Sequence, residues 1–165
     1  MSIDLIRRIG LMILFTLVQV HILNHIHLFN VATPLVYVYF ILLFPRNQQR
    51  WVSILLAFFL GLILDSFSNT PGETAFALTL TAFLQPYFLS LYLERDNSDN
   101  FTPSMAKMGF MKYATYVLLL TFIFCFTLFT LEAFSFFNWA QWLLCILGSW
   151  GVTSLIIIAI DSVRK

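Results

Sequence analysis

The chain has 165 residues, of which 60% are hydrophobic and 10% charged, with a net charge of +1 and a mean hydropathy of +0.87. A soluble domain carries about 25% charged residues, so this chain cannot cover a globular surface with polar groups; a bilayer removes that need because lipid solvates apolar side chains. No basic stripe for nucleic acid is present. The cysteines, Cys125 and Cys145, lie in apolar runs and read as small buried hydrophobes rather than as a disulfide framework.

Arg7 and Arg8 precede an apolar run from Ile9 to Val20, which imitates a secretory signal. His21-Ile22-Leu23-Asn24 follows in place of a small-x-small cleavage site, so a retained first helix is expected. A spanning helix needs about 20 apolar residues. By that measure the chain is an all-α polytopic protein with about six transmembrane helices in one integral membrane domain, residues 1–165. The expected spans are Ile9–Leu23, Leu28–Phe44, Trp51–Phe67, Pro71–Leu93, Pro103–Leu131 and Trp139–Ile160. The runs are continuously apolar and lack the alternation of a membrane barrel.

The second span is irregular. Thr33-Pro34 reads as a helix cap followed by proline, yet Pro34 to Phe44 would reach only roughly 16 Å as a helix. Either a helix begins near Leu28 and kinks at Pro34, or the preceding residues pack as irregular backbone inside the protein. Two further helix starts are marked: Thr70-Pro71-Gly72-Glu73 reads as a capping box, and Thr102-Pro103 as a cap-proline pair.

With six spans, Arg7, Arg8, Arg46, Arg50, Arg95, Lys107, Lys112, Arg164 and Lys165 all fall on one side. The other side carries His21, His25, His27, Glu73 and Glu132. Because positive charge stays cytoplasmic in short loops, both termini are expected in the cytoplasm.

Asp65, near the outer end of the third span, is the most informative ionisable residue, since a carboxylate in or near a span is costly. It reads either as a ligand contact or packing anchor, or as an interfacial carboxylate that ends the span. Glu73 reads as a cap, Glu132 as a solvated helix end, and Asp161 as an ion-pair partner of Arg164 and Lys165. His21 and His25 share a helix face, but a metal site needs further ligands, and the carboxylates that could join them are scattered. No hydrolase, metalloprotease or phosphate-loop motif is present, and no catalytic residue, metal or cofactor is expected.

Gln19-Val20-His21-Ile22-Leu23-Asn24-His25-Ile26-His27-Leu28-Phe29, followed by Ala32–Phe40 and Pro45, resembles the rod shape-determining membrane protein MreD in the form found in Bacteroidota. Gly61–Gly72, with Leu64-Asp65-Ser66-Phe67 at its centre, and Ala82-Phe83-Leu84-Gln85-Pro86-Tyr87 resemble the same family. The family often has arginine before that last proline; Gln85 departs from this, so no charge-based role attaches to the position. The likeness covers roughly residues 10–95, and the remainder agrees in hydropathy.

This resemblance implies a non-catalytic scaffold or regulator of cell elongation and cell shape in the bacterial inner membrane. The implied partners are the bitopic MreC, the actin-like MreB filament, and a peptidoglycan polymerase and transpeptidase pair. It also implies an architecture similar to the substrate-binding components of energy-coupling-factor vitamin transporters, with a pocket on the outer side. Asn24, Pro34, Asp65 and Gly72 carry the resemblance and are expected around that pocket; Glu73 and Pro86 complete the set of interaction or structural positions. The competing reading is a small-molecule uptake component. Against it stands the bulky Leu11–Val18 stretch on the first helix, where such components show small residues spaced by three.

Overall fold

The computed structural model describes residues 2–21, 33–92, 101–133 and 139–163, with side chains from residue 9 onward. The described residues form seven helices: α1 (Ser2–His21), α2 (Val38–Leu42), α3 (Arg50–Ser68), α4 (Glu73–Tyr92), α5 (Met105–Met108), α6 (Phe110–Ala133) and α7 (Trp139–Val163). Large apolar side chains such as Leu14, Phe59, Phe76, Met111 and Leu155 stand exposed on the outer faces. Helices that are apolar all round suit a lipid surround.

Among the described residues, four helices are long and apolar enough to cross a membrane: α3, α4, α6 and α7. Six spanning helices are expected from the sequence, and the described residues contain four of that length. The apolar part of α1, Ile9–His21, is shorter than a full span. The second expected span is not a spanning helix either: Thr33, Pro34 and Leu35 are non-helical, and the five-residue α2 starts only at Val38. Thr33-Pro34 is therefore no helix start. The stretch from Leu28 to Ala32 lies outside the described residues.

Neighbouring pairs α1–α3, α3–α4, α4–α6 and α6–α7 pack in succession, while α2 touches α1, α4 and α6. Residues 33–44 thus fill the space inside this arc and are almost wholly buried, with Val38 and Ile41 at 0% exposure. Backbone in that position needs donors and acceptors that a short helix cannot supply. Side chains from distant helices provide them. The Leu35 amide donates to Thr153 Oγ1 at 3.0 Å, the Thr33 amide donates to Ser149 Oγ at 3.1 Å, and Gln19 Nε2 donates to the Pro34 carbonyl at 3.0 Å. At the end of α2, Gln85 Nε2 donates to the Phe44 carbonyl at 3.2 Å and to Tyr116 Oη at 3.0 Å, and that hydroxyl reaches the Leu42 carbonyl at 3.4 Å. Edge-on ring contacts of Tyr39 with Phe15 and of Tyr37 with Phe124 complete the packing.

The partners Ser149, Thr153 and Asp161 lie in order along α7, over about 18 Å of helix axis at 1.5 Å per residue. The central segment therefore descends beside α7 in the same direction. Its far end joins the turn before α5, where the Arg46 amide donates to the Phe101 carbonyl at 2.9 Å. The exposed Arg46, Arg50, Lys107 and Lys112 gather at this end, and the start of α1 lies there too.

The fifth expected span is also corrected. Gly109, at φ +80°, ends α5 and separates it from α6, so the long helix starts at Phe110 rather than Pro103. A glycine just past a helix end takes positive φ without the Cβ clash that other residues meet.

Candidate functional site

The opposite end of the bundle is organised by Asp65. Its side chain is 4% exposed, on the last turns of α3. Oδ1 accepts from Thr70 Oγ1 at 2.6 Å and from the Thr74 amide at 3.0 Å, while Oδ2 accepts from the Ala75 amide at 2.9 Å. Thr74 and Ala75 are first-turn residues of α4, whose amides have no partner within the helix. Asp65 is thus a cap supplied by the neighbouring helix. A carboxylate is favoured at that position, where the helix dipole places its positive end.

The expected Thr70–Glu73 capping box does not form this way. The Thr70 hydroxyl donates to Asp65, and Asp65 takes the amides nearest to it. The α3–α4 connection bends so tightly because Asn69 takes φ 55° and Gly72 φ 88°. No atom would obstruct a Cβ on Gly72, so its backbone angle and not lack of space calls for glycine there. One turn before Asp65, Gly61 faces Ala75. A Cβ on Gly61 would sit inside contact range of the Ala75 Cα and 2.7 Å from the Ala75 nitrogen. The close approach of α3 and α4 therefore depends on Gly61, and it brings the Asp65 carboxylate within reach of the α4 amides.

Above this junction lies a cavity of about 350 Å³. Leu35, Leu64, Leu128 and Phe129 give it apolar walls; Gln19, Thr33, Tyr37, Thr74, Glu73 and Glu132 add polar groups. Asp65 sits directly behind it, bonded to the lining residues Thr70 and Thr74.

The structure brings together some of the expected positions. Pro34 lies between the lining residues Thr33 and Leu35, Asp65 behind the wall, and Glu73 in the lining next to Gly72. Pro86 lies further along α4, next to Gln85 and away from the cavity. Asn24, His25 and His27 lie outside the described residues, and His21 is exposed at the end of α1. Among the described residues, no group of three or more His, Cys, Asp or Glu side chains could hold a metal ion.

Asp161 is a second buried carboxylate. Arg164 and Lys165, its expected ion-pair partners, lie outside the described residues. Its Oδ1 accepts the Tyr39 hydroxyl at 2.9 Å and its Oδ2 the Met105 amide at 2.6 Å. The hydrogen bonds of Gln19, Tyr39 and Gln85 are not visible in the sequence, which marks Gln85 only as a departure from the family's arginine. The available signal was a polar side chain within an apolar run, where an unmet hydrogen bond is expensive.

No curated protein and no solved structure is significantly similar to the chain. The model of the family of rod shape-determining protein MreD matches residues 5–159, nearly the whole length. The chain belongs to the MreD family.

Proposed function

We propose that this rod shape-determining membrane protein is a non-catalytic subunit of the cell-elongation complex, holding an MreC-type bitopic protein in place and, through it, the MreB-type filament and the peptidoglycan polymerase and transpeptidase. In this reading it lies in the bacterial inner membrane, crosses it six times with residues 33–44 as one pass, and keeps both termini in the cytoplasm. The end bearing Arg46, Arg50, Lys107 and Lys112 then faces the cytoplasm, and the cavity faces outward.

One observation carries the non-catalytic part. Among the described residues the buried carboxylates are Asp65 and Asp161, and each is occupied by hydrogen bonds that join separate elements. Such groups fix a fold and are poorly placed to exchange protons with a substrate. Depletion of the protein should give rounded or swollen cells that no added nutrient corrects, and the tagged chain should co-purify with its bitopic partner in mild detergent.

The cavity itself favours a second reading, uptake of a small molecule, because its volume falls within the roughly 300–1,000 Å³ of ligand sites. The exposed face of α1 opposes it: Ile13, Leu14 and Leu17 are bulky where a coupling subunit would need close approach. Rescue of depleted cells by a single nutrient would establish uptake instead.

A further inference from the structure

We propose that the cavity receives a lysine or arginine side chain from the outer juxtamembrane segment of the bitopic partner, with the carbon stem against Leu128 and Phe129 and the cationic head between Glu73 and Glu132. This rests on the assembly reading above and names the chemistry of its contact.

Three observations support it. First, Glu73 begins α4 and Glu132 lies in the last turn of α6; both line the cavity, and Asp65 adds a third carboxylate behind its wall. Second, among the described residues no Lys or Arg lies at this end. All the described cationic side chains lie at the opposite end, and the connecting stretches 22–32 and 134–138 contain neither residue type, only His25 and His27. The carboxylates of this end therefore set up a negative potential that an incoming cation would satisfy. Third, the lining comes from α1, the central segment, α3, α4 and α6, and the glutamates and Ser68 stand at helix ends. Entry is then along the bundle axis from the aqueous side, which suits a side chain presented by a protein segment better than an acyl chain arriving from the lipid. A long basic side chain matches both wall types, since its stem is apolar and its head charged.

The test uses the full chain co-expressed with its bitopic partner, with a photo-crosslinking residue in place of the exposed cavity residue Ser68. Crosslinked peptides are identified by mass spectrometry. The expected product joins Ser68 to a partner peptide containing Lys or Arg. Its yield should fall at least tenfold in the Glu73→Gln/Glu132→Gln variant and persist in Glu73→Asp/Glu132→Asp. Both glutamates lie at the rim, and a melting curve in detergent confirms that each variant is folded. If neutralisation unfolds the chain, reversal of the partner's basic residue to Glu is paired with Glu73→Lys; crosslinking should be lost in the partner variant alone and restored by the pair. A crosslink to lipid only, to a peptide without a basic residue, or at a yield indifferent to these changes overturns the proposal while leaving the assembly reading intact. Failure of the unmodified chain to co-purify with the partner overturns the assembly reading itself.

Discussion

Asp65 on α3 and Asp161 on α7 act alike at opposite ends of the bundle: each is a buried carboxylate that accepts a hydroxyl with one oxygen and a backbone amide of another helix's first turn with the other. A membrane interior offers no water to helix termini, so every end placed inside needs an internal partner. Two short turns, before α4 and before α5, are anchored this way.

Asp65→Leu should therefore act through stability. It leaves the Thr74 and Ala75 amides buried without acceptors, at about 1–3 kcal/mol each. A loss of about 3 kcal/mol or more corresponds to a melting temperature lower by roughly 6–12 °C for a chain of this length. Glu132→Gln, at an exposed helix end, should leave the melting temperature unchanged. Equal melting of the two variants in detergent would remove the capping role.

The contact between Gly61 and Ala75 gives a second expectation. Gly61→Ala must push α3 from α4 and loosen the Asp65 cap, so folded yield and melting temperature should both drop. Gly151→Ala is the internal control. Nothing lies near a Cβ there, and α7 should gain up to about 1 kcal/mol of helix propensity. A Gly61→Ala protein as stable as the unmodified chain would show that the two helices can separate at no cost.

The positions of α3, α4, α6 and α7 were readable because long apolar runs have one solution in lipid, and Asp65 stood out by the cost of its charge. The central segment was readable only as one of two alternatives, a kinked helix or irregular backbone inside the protein, and the second agrees with the non-helical, buried Pro34 and Leu35. Hydropathy reports burial, and Leu35 to Phe44 is buried as strongly as any helix. What makes non-helical backbone possible at Thr33 and Leu35 is a pair of hydroxyls at Ser149 and Thr153, far along the chain and unmarked by any local motif. The Thr70–Glu73 pattern misled for a related reason: its threonine has a stronger acceptor in Asp65 across the turn. Gln85 shows the limit of the family likeness, because its role lies in the groups it reaches, the Phe44 carbonyl and the Tyr116 hydroxyl.

The Tyr39–Asp161 bond should be measurable as a coupling. Tyr39→Phe removes the hydroxyl while keeping the ring against Phe15, so its cost should be that of a hydrogen bond to a charged group, about 1.5–3 kcal/mol. In the Tyr39→Phe/Asp161→Asn double variant the losses should fall short of their sum, since both changes break one contact. Strict additivity in denaturant or thermal unfolding would mean that the two residues act separately.

Orientation can be tested without disturbing the core. Cys125 is fully buried, so only Cys145 needs replacing by alanine before single cysteines are introduced. Cysteines at Arg46 and Lys107 mark one end of the bundle, and cysteines at Ser68 and Glu132 mark the cavity end; all four positions are exposed. Because Lys and Arg are retained on the cytoplasmic side, Ser68→Cys and Glu132→Cys should react with a membrane-impermeant maleimide in intact spheroplasts. Arg46→Cys and Lys107→Cys should react only after the inner membrane is opened. The opposite pattern would turn the cavity toward the cytoplasm and withdraw the outer partner from its contact. Labelling at both ends in intact spheroplasts would show two orientations in one population, a result that the concentration of cationic residues at a single end argues against.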